Sequence, residues 1–179
     1  MHRQGIIRRD GELVQVPPAW NVRERDFGRG YVKVVSAGWG DVSTAYYSTG
    51  IPNIEAYIAF PELMIGFMRS LRLLGPLLYN RLVKALLKAL INLFAAPGPK
   101  EDKRKRALAL FIGEVTDPNG GRAVSKLTTP EGYTCTALTT IEVMRRILRN
   151  EYKTGFQTPS LAYGKDFILQ FDGVKREDL

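Results

Sequence analysis

Between Trp39 and Glu55 the chain reads Trp-Gly-Asp-Val-Ser-Thr-Ala-Tyr-Tyr-Ser-Thr-Gly-Ile-Pro-Asn-Ile-Glu. Hydroxyls, carboxylates and an amide crowd a short stretch that lies between two β-like runs, Val32–Val35 and Ala56–Phe60. A core strand would not carry so many polar groups, because each needs a hydrogen bond once buried. A plain surface loop has no need of a tryptophan and two tyrosines. Polar groups on an aromatic scaffold are the composition of a substrate-pocket lining, and equally of a satisfied polar turn.

The same stretch comes close to a nucleotide fingerprint. Gly38-Trp39-Gly40-Asp41-Val42-Ser43 follows a strand-like run, but Ser43 replaces the third glycine. The residues after it do not read as an amphipathic helix, and a dinucleotide cradle needs a helix N-terminus aimed at the pyrophosphate. Gly164-Lys165 lacks the upstream glycine of a P-loop. The expectation is a chain without its own nucleotide-binding unit.

Other chemistries are narrowed by composition. His2 is the only histidine, which disfavours Ser-His-Asp and Cys-His sites. Zinc would need several Cys and His ligands, and Cys135 is the only cysteine. Acid–base work therefore falls to Asp, Glu, Lys or Tyr. A lone cysteine forms no intramolecular disulfide and suits a reducing compartment, so a cytoplasmic location is expected, or one peripheral to a membrane. The formal net charge of +8 suits nucleic acid, anionic lipid or an anionic substrate and selects none of them. The start has no apolar core of a signal peptide and runs directly into strand-like sequence, as in a chain that begins mid-protein.

Around these residues the elements read as follows. Ile6–Arg9 and Glu12–Val16 flank Asp10-Gly11, a hairpin signal, and Pro17-Pro18 stops the second strand. Residues 19–30 read as a connection, with strands at 31–36 and 54–60. From Glu62 the chain turns leucine-rich and helical, split at Gly75-Pro76 and ended by Ala95–Pro99. Arg81, Lys84 and Lys88 share one helical face; Leu78, Leu82, Leu86, Ala89 and Leu93 fall toward another. Interrupting charges argue against a membrane span, whereas a basic amphipathic helix can lie on a membrane surface or cover a partner. The run 100–106 reads as an exposed loop or short solvated helix, with no aromatic interleaving for base stacking and hence no specific nucleic acid expected. Leu108–Val115 and Arg122–Leu127 read as a second hairpin. Thr129-Pro130-Glu131 opens a helix that runs to about Arg149, with Ala137, Ile141, Met144 and Leu148 on its apolar stripe. Asp166–Phe171 reads as a last strand. The expected fold is α+β: one domain over 1–179, a mixed, largely antiparallel sheet covered by helices, with a helical insertion at about 62–106.

Several of these motifs, in this order, resemble the C-terminal part of the saccharopine dehydrogenase-like oxidoreductases. They are Val14–Pro17, Arg25-Asp26-Phe27-Gly28, Trp39–Tyr46, Ser48–Glu55, Gly113-Glu114-Val115, Thr129–Tyr133, Thr136-Ala137 and Gly155–Pro159. The resemblance implies a fold like the C-terminal domain of glyceraldehyde-3-phosphate dehydrogenase. It also implies an N-terminal Rossmann domain, on the same or a separate chain, that binds NAD or NADP; this chain alone would bind neither. A homodimer is expected. On this reading Asp41 and Tyr46 are the candidates for proton transfer, and Ser43, Thr44, Thr49 and Asn53 line the pocket edge, with Tyr133 and Thr158 as further substrate contacts. The alternative is a stand-alone binding protein whose helices in 62–94 engage anionic lipid or a hydrophobic partner.

Overall fold

Asp10 and Gly11 both take positive φ, 50° and 83°, so the chain reverses in two residues. Strands β1 (Gly5–Arg9) and β2 (Glu12–Val16) then pair antiparallel, with Arg9 opposite Glu12 and Gly5 opposite Val16. The computed structural model describes residues 5–17, 19–28, 30–73, 80–94 and 101–179. His2, Pro18, the Gly75-Pro76 break, Leu78, the 95–99 stop and Lys100 lie outside the described residues, as does the side chain of Leu93.

The chain is mixed α/β with small antiparallel sheets, and it divides into two compact units, residues 1–98 and 99–179. Where one sheet was expected there are three among the described residues, because most strands pair with a neighbour in sequence. In the first unit the hairpin stands apart from a sheet ordered β3 (Val22–Asp26), β4 (Tyr31–Ser36), β5 (Tyr57–Ala59). Strand β3 falls in the stretch expected to be a connection. Its Arg-Glu-Arg-Asp run hides it, yet charged side chains are what an edge strand carries. Buried Ile7, Val16, Val34, Val35, Val42 and Ile65 form the apolar core, and Ile65 comes from α2 (Glu62–Leu73). Helix α3 (Arg81–Phe94) follows.

The main departure from expectation is α1, a helix over Gly40–Thr49 where a polar loop was read. Trp39 enters it in extended conformation, and Gly50 closes it at φ 70° with its N–H on Tyr46 O at 2.8 Å. Serine and threonine are indifferent helix formers, but here their hydroxyls turn back onto the helix's own carbonyls. Gly38 is needed for packing: a Cβ there would come within 2.8 Å of the Ile6 backbone nitrogen.

In the second unit α4 (Glu101–Arg106) is the short helix of the charge run. Strands β6 (Leu108–Thr116) and β7 (Arg122–Pro130) pair along their full lengths, and β8 (Lys175–Asp178) adds to β7. The longer ladder absorbs Thr129 and Pro130, opposite Ala109 and Leu108, so helix α5 (Gly132–Leu148) begins later than expected. Glu131 caps it, its carboxylate accepting from the Tyr133 and Thr134 amides at 3.1 and 3.3 Å. A short helix α6 (Pro159–Tyr163) follows. Residues 167–170, expected as strand, are a 3-10 helix. Tyr163 stacks on Phe167 at 5.2 Å between centroids, and Phe171 meets Phe167 edge-on at 5.5 Å.

Arg8 holds the first unit together. The side chain is only 6% exposed. Its Nε donates to Val42 O at 3.1 Å, Nη1 to Gly11 O at 2.5 Å and Nη2 to Ser43 O at 3.1 Å. The Tyr46 ring covers the guanidinium at 4.4 Å. Replacing Arg8 by Met keeps most of the stem and abandons three carbonyls, so urea unfolding should show a loss of about 3 kcal/mol, roughly 1 per abandoned acceptor. Arg8→Lys should recover less than half, since one ammonium cannot reproduce the planar fork. An unchanged midpoint for Arg8→Met would show that the hairpin does not depend on this contact.

Candidate functional site

The residues from 39 to 55 form one locked piece. After Gly50 the chain doubles back along β1: Gly11 N donates to Pro52 O at 2.9 Å, Arg8 N to Ile54 O at 2.9 Å and Ile54 N to Arg8 O at 3.0 Å. Asn53 Oδ1 accepts from the Asp10 amide at 2.9 Å, which fixes the hairpin turn against the returning segment.

The hydroxyls expected to line a pocket have local partners. Thr44 Oγ1 donates to Gly40 O at 3.1 Å, and Thr49 Oγ1 donates to Ala45 O at 2.7 Å while accepting from Ile51 N at 3.2 Å. Ser43 contributes its carbonyl to Arg8. Tyr46 packs its ring on Arg8 and meets Tyr47 edge-on at 5.7 Å. Asp41 is exposed in the first turn. Five residues along a helix turn through about 140° from each other's face, so α1 points Asp41 and Tyr46 in different directions instead of converging them as a loop would. Trp39, which enters the helix, and Tyr47 are also exposed, but Tyr47 lies about 120° round the helix from Asp41, so the exposed acid and the exposed rings do not share one face.

Tyr133 and Thr158 belong to the second unit. Tyr133 is exposed at the start of α5. Thr158 caps α6, its Oγ1 accepting from Leu161 N at 3.3 Å and lying 3.0 Å from Ser160 Oγ. That bond gives the hydroxyl a structural task.

The fingerprint-like Gly38–Ser43 does join a strand to a helix, contrary to the sequence expectation. It still does not fit a dinucleotide. β4 has antiparallel neighbours on both sides, so the parallel βαβ crossover is missing, and Asp41 puts a carboxylate where the pyrophosphate would lie. Among the described residues no three His, Cys, Asp or Glu side chains gather as metal ligands.

A polar cluster not anticipated from the sequence lies on the β3–β4–β5 sheet. Tyr57 donates its hydroxyl to the Glu55 carboxylate and accepts from Asn21 Nδ2 at 2.9 Å. Arg23 lies 3.7 Å from Glu55 and over the Tyr57 ring at 5.1 Å. The spacing of Glu55 and Tyr57, which puts both on one side of an extended chain, is the signal that was available. Burial, then the Glu55 hydrogen bond, pushes the Tyr57 hydroxyl up to about 12. The phenol is thus a committed donor, suited to bracing or to hydrogen bonding and poorly suited to act as a base at neutral pH. No protein-family model, curated protein or solved structure matches the chain.

Tyrosinate absorbance should show one tyrosine titrating near pH 12, absent in Tyr57→Phe. Glu55→Gln should lower that value while leaving it above the ordinary 10, because burial is the larger cause. Folding favours the neutral phenol, so the stability it contributes is complete below pH 10 and lost as pH rises to about 12. A Tyr57 that titrates at the ordinary value of 10 would disprove the cluster.

Proposed function

We propose that the chain is the substrate-binding and dimerisation domain of a saccharopine dehydrogenase-like, NAD(P)-dependent oxidoreductase, not catalytic by itself. Its α+β fold would be of the kind found in the C-terminal domain of glyceraldehyde-3-phosphate dehydrogenase. The observation that supports this reading best is the 39–55 segment. It is the stretch of most specific resemblance, and it folds as a single rigid piece clasped by Arg8 while presenting Trp39, Asp41 and Tyr47 outward. A rigid element that exposes polar and aromatic groups is what orientation of a bound substrate requires.

In this reading the nicotinamide, when bound, supplies the hydride chemistry, and it is held by a Rossmann domain on the same or a separate chain. Residues of this chain bind and orient. Asp41, with its exposed carboxylate, is better placed for proton transfer than Tyr46, whose ring covers Arg8. Thr49 and Asn53 shape the backbone of the pocket edge.

The locus tests the family reading. An in-frame or neighbouring coding segment with a glycine-rich βαβ unit is expected, and a locus without one sinks the proposal. Calorimetric titration of this chain with NADH or NADPH should show no saturable binding near ~10 μM, an ordinary protein–ligand affinity. In the intact enzyme, Asp41→Asn should lower turnover at least tenfold with little change in melting temperature, as the side chain is exposed. Thr49→Val and Asn53→Leu should each cost under ~1 kcal/mol, because water can replace their exposed partners. Normal turnover in Asp41→Asn would remove this helix from the active site.

A further inference from the structure

Helices α2 and α3 each join two properties that rarely coincide on a solvated helix. Leu63 is 89% exposed and Phe67 57% in α2, while Ile65, on the opposite side, is buried. In α3, Leu82 is 78% exposed and Leu86 62%. Both helices therefore turn large apolar side chains to solvent, although the same helices supply others to the interior or to a polar face. In α3 the basic residues Arg81, Lys84 and Lys88 keep to a narrow arc away from Leu82 and Leu86, the separation that gives a helix two chemically distinct sides.

Charge decides what covers this surface. The stretch 62–94 holds five basic residues, Arg69, Arg72, Arg81, Lys84 and Lys88, and one acid, Glu62. That acid is already engaged by Lys33 at 2.6 Å. A second copy would bring like charges together, which disfavours self-pairing through these helices. An anionic lipid surface satisfies both halves of the pattern: headgroups meet the cations, and acyl chains receive the leucines and phenylalanine.

Length fixes how the helices would lie. At 1.5 Å per residue α3 is about 21 Å long and α2 about 18 Å, against a hydrocarbon thickness of about 30 Å. Among the described residues no helix is long and apolar enough to cross a membrane. We propose that α2 and α3 dock the protein in the plane of an anionic bilayer surface, with Leu63, Phe67, Leu82 and Leu86 inserted below the headgroups. Lysine stems can lie along the apolar surface while their ammonium groups reach back to the phosphates. The proposal stands independently of the oxidoreductase reading.

Co-sedimentation of the full 179-residue chain with lipid vesicles tests it. Vesicles of phosphatidylcholine with about 30% phosphatidylglycerol should retain the protein, and pure phosphatidylcholine should retain roughly tenfold less or lower still. Raising the salt should weaken binding to the anionic vesicles. Two double variants, Leu82→Ser with Leu86→Ser and Lys84→Gln with Lys88→Gln, should each reduce partitioning by about tenfold or more. Circular dichroism and the melting temperature should stay at wild-type values, since all four side chains are exposed. Equal, salt-independent binding to neutral vesicles would overturn the proposal, and so would no binding to either. A wild-type dimer in sedimentation that the leucine variant turns into monomer would assign the surface to a second copy instead.

Discussion

A buried guanidinium without a carboxylate fastens the first unit. Burying a charge is costly unless its hydrogen bonds are replaced. Arg8 meets that cost with three backbone carbonyls, two from the first turns of α1 and one from the hairpin turn, and with the Tyr46 ring above it. The position of each acceptor then matters to the others. The hairpin cannot shift along α1 without losing Val42 O and Ser43 O, and the turn cannot open without losing Gly11 O. The backbone bonds between Arg8 and Ile54 extend the same constraint to the returning segment. A hairpin of two five-residue strands is marginal alone; docking on α1 gives it a reason to persist.

The second unit is also fastened by an arginine, but a half-buried one that is paired with a carboxylate. Arg146 lies against the Tyr163–Phe167 ring pair, 4.8 and 5.0 Å from the two centroids, and donates to Glu142 Oε1 at 3.1 Å and to Gln170 Oε1 at 2.8 Å. Glu142 also lies near Arg145 and Arg149. Phe167 is the one buried apolar side chain described in this unit, so the arginine clasp and the long β6–β7 ladder carry much of its order. The pairing of Glu142 with Arg146 was legible from their i,i+4 spacing. The rings that receive Arg146 were not, because Asp166–Phe171 reads as strand and the 3-10 turn at 167–170 that brings Phe167 against Tyr163 has no local signal.

What the sequence revealed was local. Asp10-Gly11 demands positive φ, and Thr116–Gly121 a turn, so both hairpins follow from a few residues. The α3 spacing and the end of α5 were equally readable. What it hid depended on partners distant in sequence. Val22–Asp26 is a strand only because β4 offers it an edge. α1 is a helix because Gly50 caps it and Arg8 binds its side, neither of which outweighs a run of Ser and Thr when propensity alone is weighed. The pocket reading suffered in the same way: hydroxyl composition signals polarity, but back-bonding to carbonyls four residues earlier uses the same atoms.

Helix α5 shows why periodicity finds a stripe without saying what it faces. Ala137, Ile141, Met144 and Leu148 do share one side, as their spacing requires, yet that side is exposed. The inward side carries Cys135, Thr139, Glu142, Val143 and Arg146, none of them exposed. The inversion has a physical cause. Thr139 Oγ1 returns its proton to the Cys135 and Thr136 carbonyls, and Glu142 and Arg146 satisfy each other, so the polar face enters the unit with its hydrogen bonds already made. Once aromatic rings can accept a guanidinium, that face competes with leucine for the interior. An apolar stripe is then left outside, and hydrophobic patterning alone cannot foresee it, because the pattern is indifferent to which of two satisfied faces turns inward.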